Sequence, residues 1–138
     1  MGESTIRLQA VRQNLPTVMR FTEEHLDDTG CSLKTRMQIE LAVEEIFVNI
    51  AGYAYAPGSG DVVICMEITG DPATAVITFT DQGKVFDPLK KEDPDVTLPA
   101  EKRQIGGLGI FTVRRFMDDV QYERAGNSNV LTLTKQLV

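Results

Sequence analysis

The chain has 138 residues, 42% of them hydrophobic and 25% charged, with a net charge of -6. That length holds one compact domain around one core, and the composition is that of an ordinary globular protein. The acidic balance argues against direct nucleic-acid binding or adsorption to an acidic membrane, which rest on clustered Lys and Arg.

At the start, Met1-Gly2-Glu3-Ser4-Thr5 lacks a cationic segment leading into an apolar run, so no signal peptide is expected. Ile6–Ala10 alternates with period two and predicts a strand. Asn14 is placed to cap the next helix, which has Pro16 in its first turn and runs through Val18, Phe21, His25 and Leu26. Thr29-Gly30-Cys31 closes it. Ser32 then caps a longer helix reaching about Ala56, stopped by Pro57-Gly58-Ser59-Gly60. From Leu41 to Ala54 that helix is apolar nearly all round, which predicts burial.

Asp61–Thr69 and Ala75–Thr80 predict strands joined at Gly70-Asp71-Pro72. Residues 89–105 are charged, proline-bearing and without period, and a loop of that length points to a lid over a ligand. Helix resumes over Gly107–Met117. Val120–Arg124 and Val130–Leu137 predict a closing hairpin through Ala125-Gly126-Asn127-Ser128. Met19, Met37, Met66 and Met117 fall on apolar faces and are expected in the core. Cys31 and Cys65 lack the paired spacing of zinc or redox motifs, so reduced thiols in a cytoplasmic protein are expected. No apolar stretch approaches membrane-spanning length. Together the elements predict an α+β sandwich, with a mixed, mostly antiparallel sheet and helices on one face.

Three segments carry the chemistry. In Glu44-Glu45-Ile46-Phe47-Val48-Asn49, helical spacing puts Glu45 and Asn49 on one face, one turn apart. Burying them among apolar neighbours is costly unless metal, water and phosphate satisfy them, or a basic side chain pairs with Glu45. Desolvation should raise the proton affinity of Glu45. In Asp81-Gln82-Gly83-Lys84-Val85-Phe86-Asp87-Pro88, a strand-end carboxylate can accept a hydrogen bond from a ligand's amino group, and Gly83 permits close approach. A plain turn would use the same residues. In Gly106-Gly107-Leu108-Gly109, a glycine-rich turn opens into a helix and presents backbone N–H groups to phosphate, or else serves tight packing. The set describes an ATP site.

In order and content these segments resemble the GHKL, or Bergerat, ATP-binding superfamily, and within it the small anti-sigma factor serine-protein kinases of bacteria. The resemblance runs from about Ile6 to Leu137. It implies that residues 1–138 form a single ATP-binding domain, a two-layer sandwich of the Bergerat type with nucleotide between the helical layer and the lid. It implies ATP and Mg2+ as cofactors, Glu45 as the base that activates a hydroxyl or water, and Asn49 as the magnesium ligand. Asp81 would take the adenine amino group, with Gly83 and Phe86 in the same box. Gly106, Gly107, Leu108 and Gly109 would face phosphate, Leu108 itself packing inward. Arg103 or Lys102 would reach the γ-phosphate, although Ile105 stands where members often carry a basic residue.

A further departure is Tyr53-Ala54-Tyr55, where the resembled kinases usually begin with His. It bears on kinase activity more than on ATP binding. The activity implied is phosphorylation of a Ser or Thr on an antagonist protein (a STAS-like anti-anti-sigma factor) together with sequestration of a sigma factor. A homodimer through the amino-terminal strand and helix is implied, with no direct contact to nucleic acid or membrane. A non-catalytic ATP-dependent protein-binding switch is the alternative. An ATPase module of a topoisomerase or chaperone fits the small size less well. His25, the sole histidine, is expected at the surface or its boundary rather than as a phospho-acceptor.

Overall fold

The computed structural model describes residues 2–85, 87, 89 and 107–138. In chain order it contains β1 (Gly2–Gln9), a single 3-10 turn (Arg12–Asn14), α1 (Leu15–Asp27) and α2 (Leu33–Asn49). The last of these runs on into a π-helical turn (Ile50–Ala54). Then come β2 (Asp61–Thr69), β3 (Thr74–Asp81), α3 (Gly107–Phe116), β4 (Asp119–Ala125) and β5 (Ser128–Gln136). Of the segment expected as a lid, all but Leu89 lies outside the described residues.

Local chemistry explains most of these boundaries. Ser32 is extended, and its Oγ accepts from Thr35 N at 3.1 Å, so it caps α2 as expected; such a cap is worth about 1 kcal/mol. Gly30 turns the chain between α1 and α2 at φ 71°, a conformation that suits glycine. Asn14 does not cap α1. The preceding 3-10 turn already holds it at φ -90°, ψ 0°, and its Nδ2 donates instead to Gln9 O at 2.8 Å, tying the helix start to β1. Gly126, at φ 62°, opens the two-residue β4–β5 turn in the way that Gly-first hairpins require.

The sheet order is β1-β2-β3-β5-β4, and each of these neighbouring pairs is antiparallel. The α+β sandwich is as expected, but among the described residues no neighbouring pair is parallel. The reason lies in the crossover: β3 and β4 run the same way, joined through α3, and β5 inserts between them. This is a split β-α-β unit.

Alternation places Val62, Ile64 and Met66 of β2, Ala75, Ile77 and Phe79 of β3, and Leu131 and Leu133 of β5 on one buried face. Against them pack Val18 and Leu26 of α1, Ile39, Val43, Ile46 and Phe47 of α2, and Ile110 and Val113 of α3. Emptying one large site here, as in Phe79→Ala, is worth about 3–5 kcal/mol.

The expectation that Leu41–Ala54 is buried fails at Leu41 and Tyr53, and Met37, expected in the core, is exposed as well. Leu41 is 42% and Met37 52% exposed. The buried residues Ile39, Ala42, Val43, Ile46 and Phe47 make one stripe, and Leu33, Met37 and Leu41, spaced by four, fall on the opposite face. Met66 and Met117 are in the core, and Met19 packs partly buried against it. Cys31 and Cys65 are free thiols. His25 is half-buried, with Nδ1 2.6 Å from Phe21 O and its ring against Phe21. Among the described residues no helix is long and apolar enough to cross a membrane.

Candidate functional site

The far end of α2 and the ends of β3 and β5 meet around a pocket. It is lined by Ile46, Asn49 and Ile50, by Phe79 and Asp81, and by Tyr122, Asn129 and Leu131, with Ala54 of the π-helical turn. A π-turn widens the helix by one residue per turn and often marks a functional site. Here it carries Ala54 and Tyr55 across to the end of β3. Tyr55 Oη donates to Asp61 O at 2.6 Å and accepts from Gln82 N at 2.8 Å. Lys84 N donates to Ala54 O at 2.9 Å. Gly83 lies so close to the Ala54 main chain that a Cβ there would collide with the Ala54 carbonyl. The close approach that calls for glycine at 83 is thus to the protein's own backbone.

Asp81, the last residue of β3, is only 4% exposed. Its Oδ1 accepts from Gly83 N at 2.8 Å and from Asn129 Nδ2 at 3.0 Å. Asn129 sits directly across the β3–β5 ladder from Asp81. Its Nδ2 also donates to Lys84 O at 2.8 Å, and its Oδ1 accepts from Tyr122 Oη at 2.5 Å and from Arg124 at 3.1 Å. The Arg124 guanidinium reaches Gly83 O as well, at 2.9 Å. A buried carboxylate is thus held by donors on one oxygen, at the wall of an otherwise mostly apolar pocket.

Glu45 and Asn49 occupy α2 one turn apart, both half-buried. Burial pushes the Glu45 carboxyl above its ordinary range, and the neighbouring Glu44 charge adds to the shift. No cation among the described residues contributes, so the pairing with a basic side chain is not seen. The Glu45 carboxylate lies instead against the first turn of α3. A Cβ on Gly109 would fall on Glu45 Oε2.

Asn49 and Asp81 therefore line one pocket, Gly83 packs on Ala54 beside it, and Glu45 meets Gly109 between α2 and α3. Gly107 opens α3 as expected. Phe86, Arg103 and Gly106 lie outside the described residues, as does the side chain of Leu108. Tyr53 is 41% exposed on the π-turn. The sequence reading missed Asn129, Tyr122, Arg124 and Tyr55. Only for Tyr55 did the sequence hold a signal, its place in the Tyr53-Ala54-Tyr55 segment.

Comparison with known proteins bears on the family and the fold. The model of the histidine kinase-like ATPase domain matches residues 8–135. The serine/threonine-protein kinase BtrW of Bordetella bronchiseptica is 28% identical over 103 residues, which cover 75% of this chain and 72% of BtrW. The serine-protein kinase RsbW of Listeria monocytogenes is 32% identical over 108 residues, covering 75% of this chain and 68% of RsbW. A crystal structure of the RsbU and RsbW domains of a Mycobacterium tuberculosis protein superposes with a TM-score of 0.70 at 18% identity. It covers 99% of this chain, which spans 33% of that longer chain, and the likeness concerns the fold. With the family model matched from β1 to β5, the chain belongs to the histidine kinase-like ATPase domain family, of the GHKL type.

Proposed function

We propose that this protein binds magnesium-ATP and phosphorylates a serine or threonine of a partner protein, with Glu45 as the base. The observation that carries the reading is the Glu45 carboxylate, raised in proton affinity by burial and seated against Gly109 at the start of α3. A base is most effective when its proton affinity is lifted toward the working pH. Relatives named serine-protein kinases support a protein hydroxyl as acceptor.

The residues present fit the implied groups. Asp81 offers ATP a buried acceptor, and Gly109 stands where a side chain would displace the Glu45 carboxylate. For magnesium, Asn49 supplies a carboxamide oxygen on the pocket wall. No cluster of three or more His, Cys, Asp or Glu ligands occurs among the described residues. Magnesium is usually shared between one or two side chains and substrate phosphates rather than caged by protein, so Asn49 is the residue that would hold it. Magnesium-ATP, when bound, supplies the phosphoryl group and neutralises its charge. Asp81 would hold the adenine, Asn49 would face the metal, and Glu45 would take the proton that the acceptor hydroxyl gives up. The Gly107–Gly109 turn, with Gly106 and Arg103 before it, belongs to the phosphate side of this reading.

The wider role follows the resemblance: an anti-sigma factor in the cytoplasm that phosphorylates its anti-anti-sigma antagonist and otherwise sequesters a sigma factor. A homodimer through β1 and α1 fits the position of β1 at a sheet edge, with one side unpaired among the described residues. Phosphate transfer from magnesium-ATP to the cognate antagonist tests the proposal, and its absence despite ATP binding would overturn the kinase reading. Tyr53, in the place of the usual His, favours the second reading, a nucleotide-dependent binding switch without transfer.

A further inference from the structure

We propose that Asn129 is the residue that makes the pocket selective for a 6-amino purine, by leaving Asp81 only one oxygen to offer. The proposal rests on the ATP-binding reading and adds to it a determinant on β5.

A carboxylate with both oxygens open can read two different purine edges. It can accept one hydrogen bond from the 6-amino group of adenine. It can also accept two, side by side, from N1–H and the 2-amino group of guanine, because an ionised carboxylate presents both oxygens to a paired donor. Asp81 by itself would not choose between them.

The structure removes the second option. Asp81 Oδ1 already takes Gly83 N and Asn129 Nδ2. Oδ2 has no hydrogen-bond partner among the described residues, yet it is not sealed away, and Asp81 lines the pocket. One acceptor faces a ligand, which suits a single amino group and not a paired guanine edge. A 6-oxo group would meet this oxygen acceptor to acceptor, an unfavourable contact.

The direction of the Asn129 amide is itself fixed. On its Nδ2 side stand two acceptors, Asp81 Oδ1 and Lys84 O. On its Oδ1 side stand two donors, Tyr122 Oη and Arg124. Turning the amide over would set oxygen against oxygen on one side and donor against donor on the other. Arg124 and Tyr122 are thus positioning residues for Asn129, as Asn129 is for Asp81. The chain of donors runs from β4 through β5 to β3.

The test is the ratio of ATP to GTP dissociation constants, measured by calorimetry on the whole chain with magnesium. Wild type should prefer ATP by about 100-fold or more, since sites built on hydrogen bonds reject mismatched groups strongly. Asn129→Ala should compress that ratio by at least about tenfold, whereas general loosening would weaken both nucleotides and leave the ratio alone. Asn129→Ser, which keeps one donor toward Asp81, should restore most of it. Should Asn129→Ala fail to fold, Asn129→Val, which suits a strand and offers no donor to Asp81, should lower the ratio in the same way. An unchanged ratio in a folded Asn129→Ala, or in Asn129→Val, overturns the proposal. Wild type binding ATP and GTP equally overturns it while leaving nucleotide binding intact. Wild type binding neither overturns both the proposal and the ATP reading beneath it.

Discussion

Gly109 and Glu45 are packed so closely that a single methyl at 109 would occupy the space of the Glu45 carboxylate oxygen. The atom in the way is the far end of a flexible side chain, so the fold can absorb the change by moving it. Gly109→Ala should therefore keep the melting temperature near wild type while cutting phosphate transfer by about tenfold or more, through displacement of Glu45, the proposed base. Transfer and thermal unfolding measured on the same preparation check this. A variant that transfers at the wild-type rate would show that Glu45 is not needed where it stands.

Gly83 poses the opposite case, because its close neighbour is the Ala54 main chain rather than a side chain. Gly83→Ala has no inexpensive escape. It should lower stability by about 1–3 kcal/mol, the usual cost of overpacking, and loosen the Lys84–Ala54 hydrogen bond. Denaturant unfolding measures the loss. Hydrogen exchange at Lys84 should rise with it.

Glu45→Gln separates binding from chemistry. The amide keeps shape but takes no proton, so ATP affinity should stay near wild type while transfer falls by about 10²–10⁴-fold. Stability should move the other way. The folded-state proton affinity of Glu45 is raised above its ordinary value of 4.5. Its stabilising contribution is fully present below that pH and is lost as pH rises through the raised value. The variant escapes that loss, so its stability relative to wild type should improve across this interval and stay improved at neutral pH. The gain should be a few tenths of a kcal/mol, because solvent screens a half-open site. Paired thermal melts at several pH values read it directly. By the same logic, wild-type transfer should climb with pH through the Glu45 titration.

Asp81→Asn has a direction built into it. Gly83 N and Asn129 Nδ2 both donate toward one side of residue 81, so the introduced amide should turn its oxygen to them. Its NH2 group then faces the pocket, where the carboxylate offered an acceptor. ATP binding should weaken by about 1–3 kcal/mol, and a 6-oxo purine such as ITP should gain relative to ATP. Competition between the two nucleotides on this variant shows whether the preference moves.

What could be read from the sequence divides along the range of the interactions. Ser32, Pro16, Gly30 and the Gly126 turn act within a few residues of themselves, and the elements they bound are close to those expected. Asn14 differed because a 3-10 turn too short to show a period came first. Leu41 and Met37 differed because they extend, with Leu33, a second apolar row spaced by four, and spacing alone does not say which row meets the sheet. The paired positions of Glu45 and Asn49 followed from helical spacing alone. Asn129 did not, since its partner Asp81 is 48 residues away and only the β3–β5 register brings them together. The π-turn had no signal of its own, yet it decides why Gly83 is glycine.

The insertion of β5 between β3 and β4 has a consequence for cooperativity. The strand that arrives last in chain order takes an interior place in the sheet, so Asp81 gains its partner only after a distant segment has docked. Contacts of that span form late and slow folding. Once formed, they can open only if the sheet parts along its middle, which ties the Asp81 end of the pocket to global unfolding rather than to a local fluctuation. A ligand held there would raise the protection of β3 and β5 amides together, in step with the whole domain.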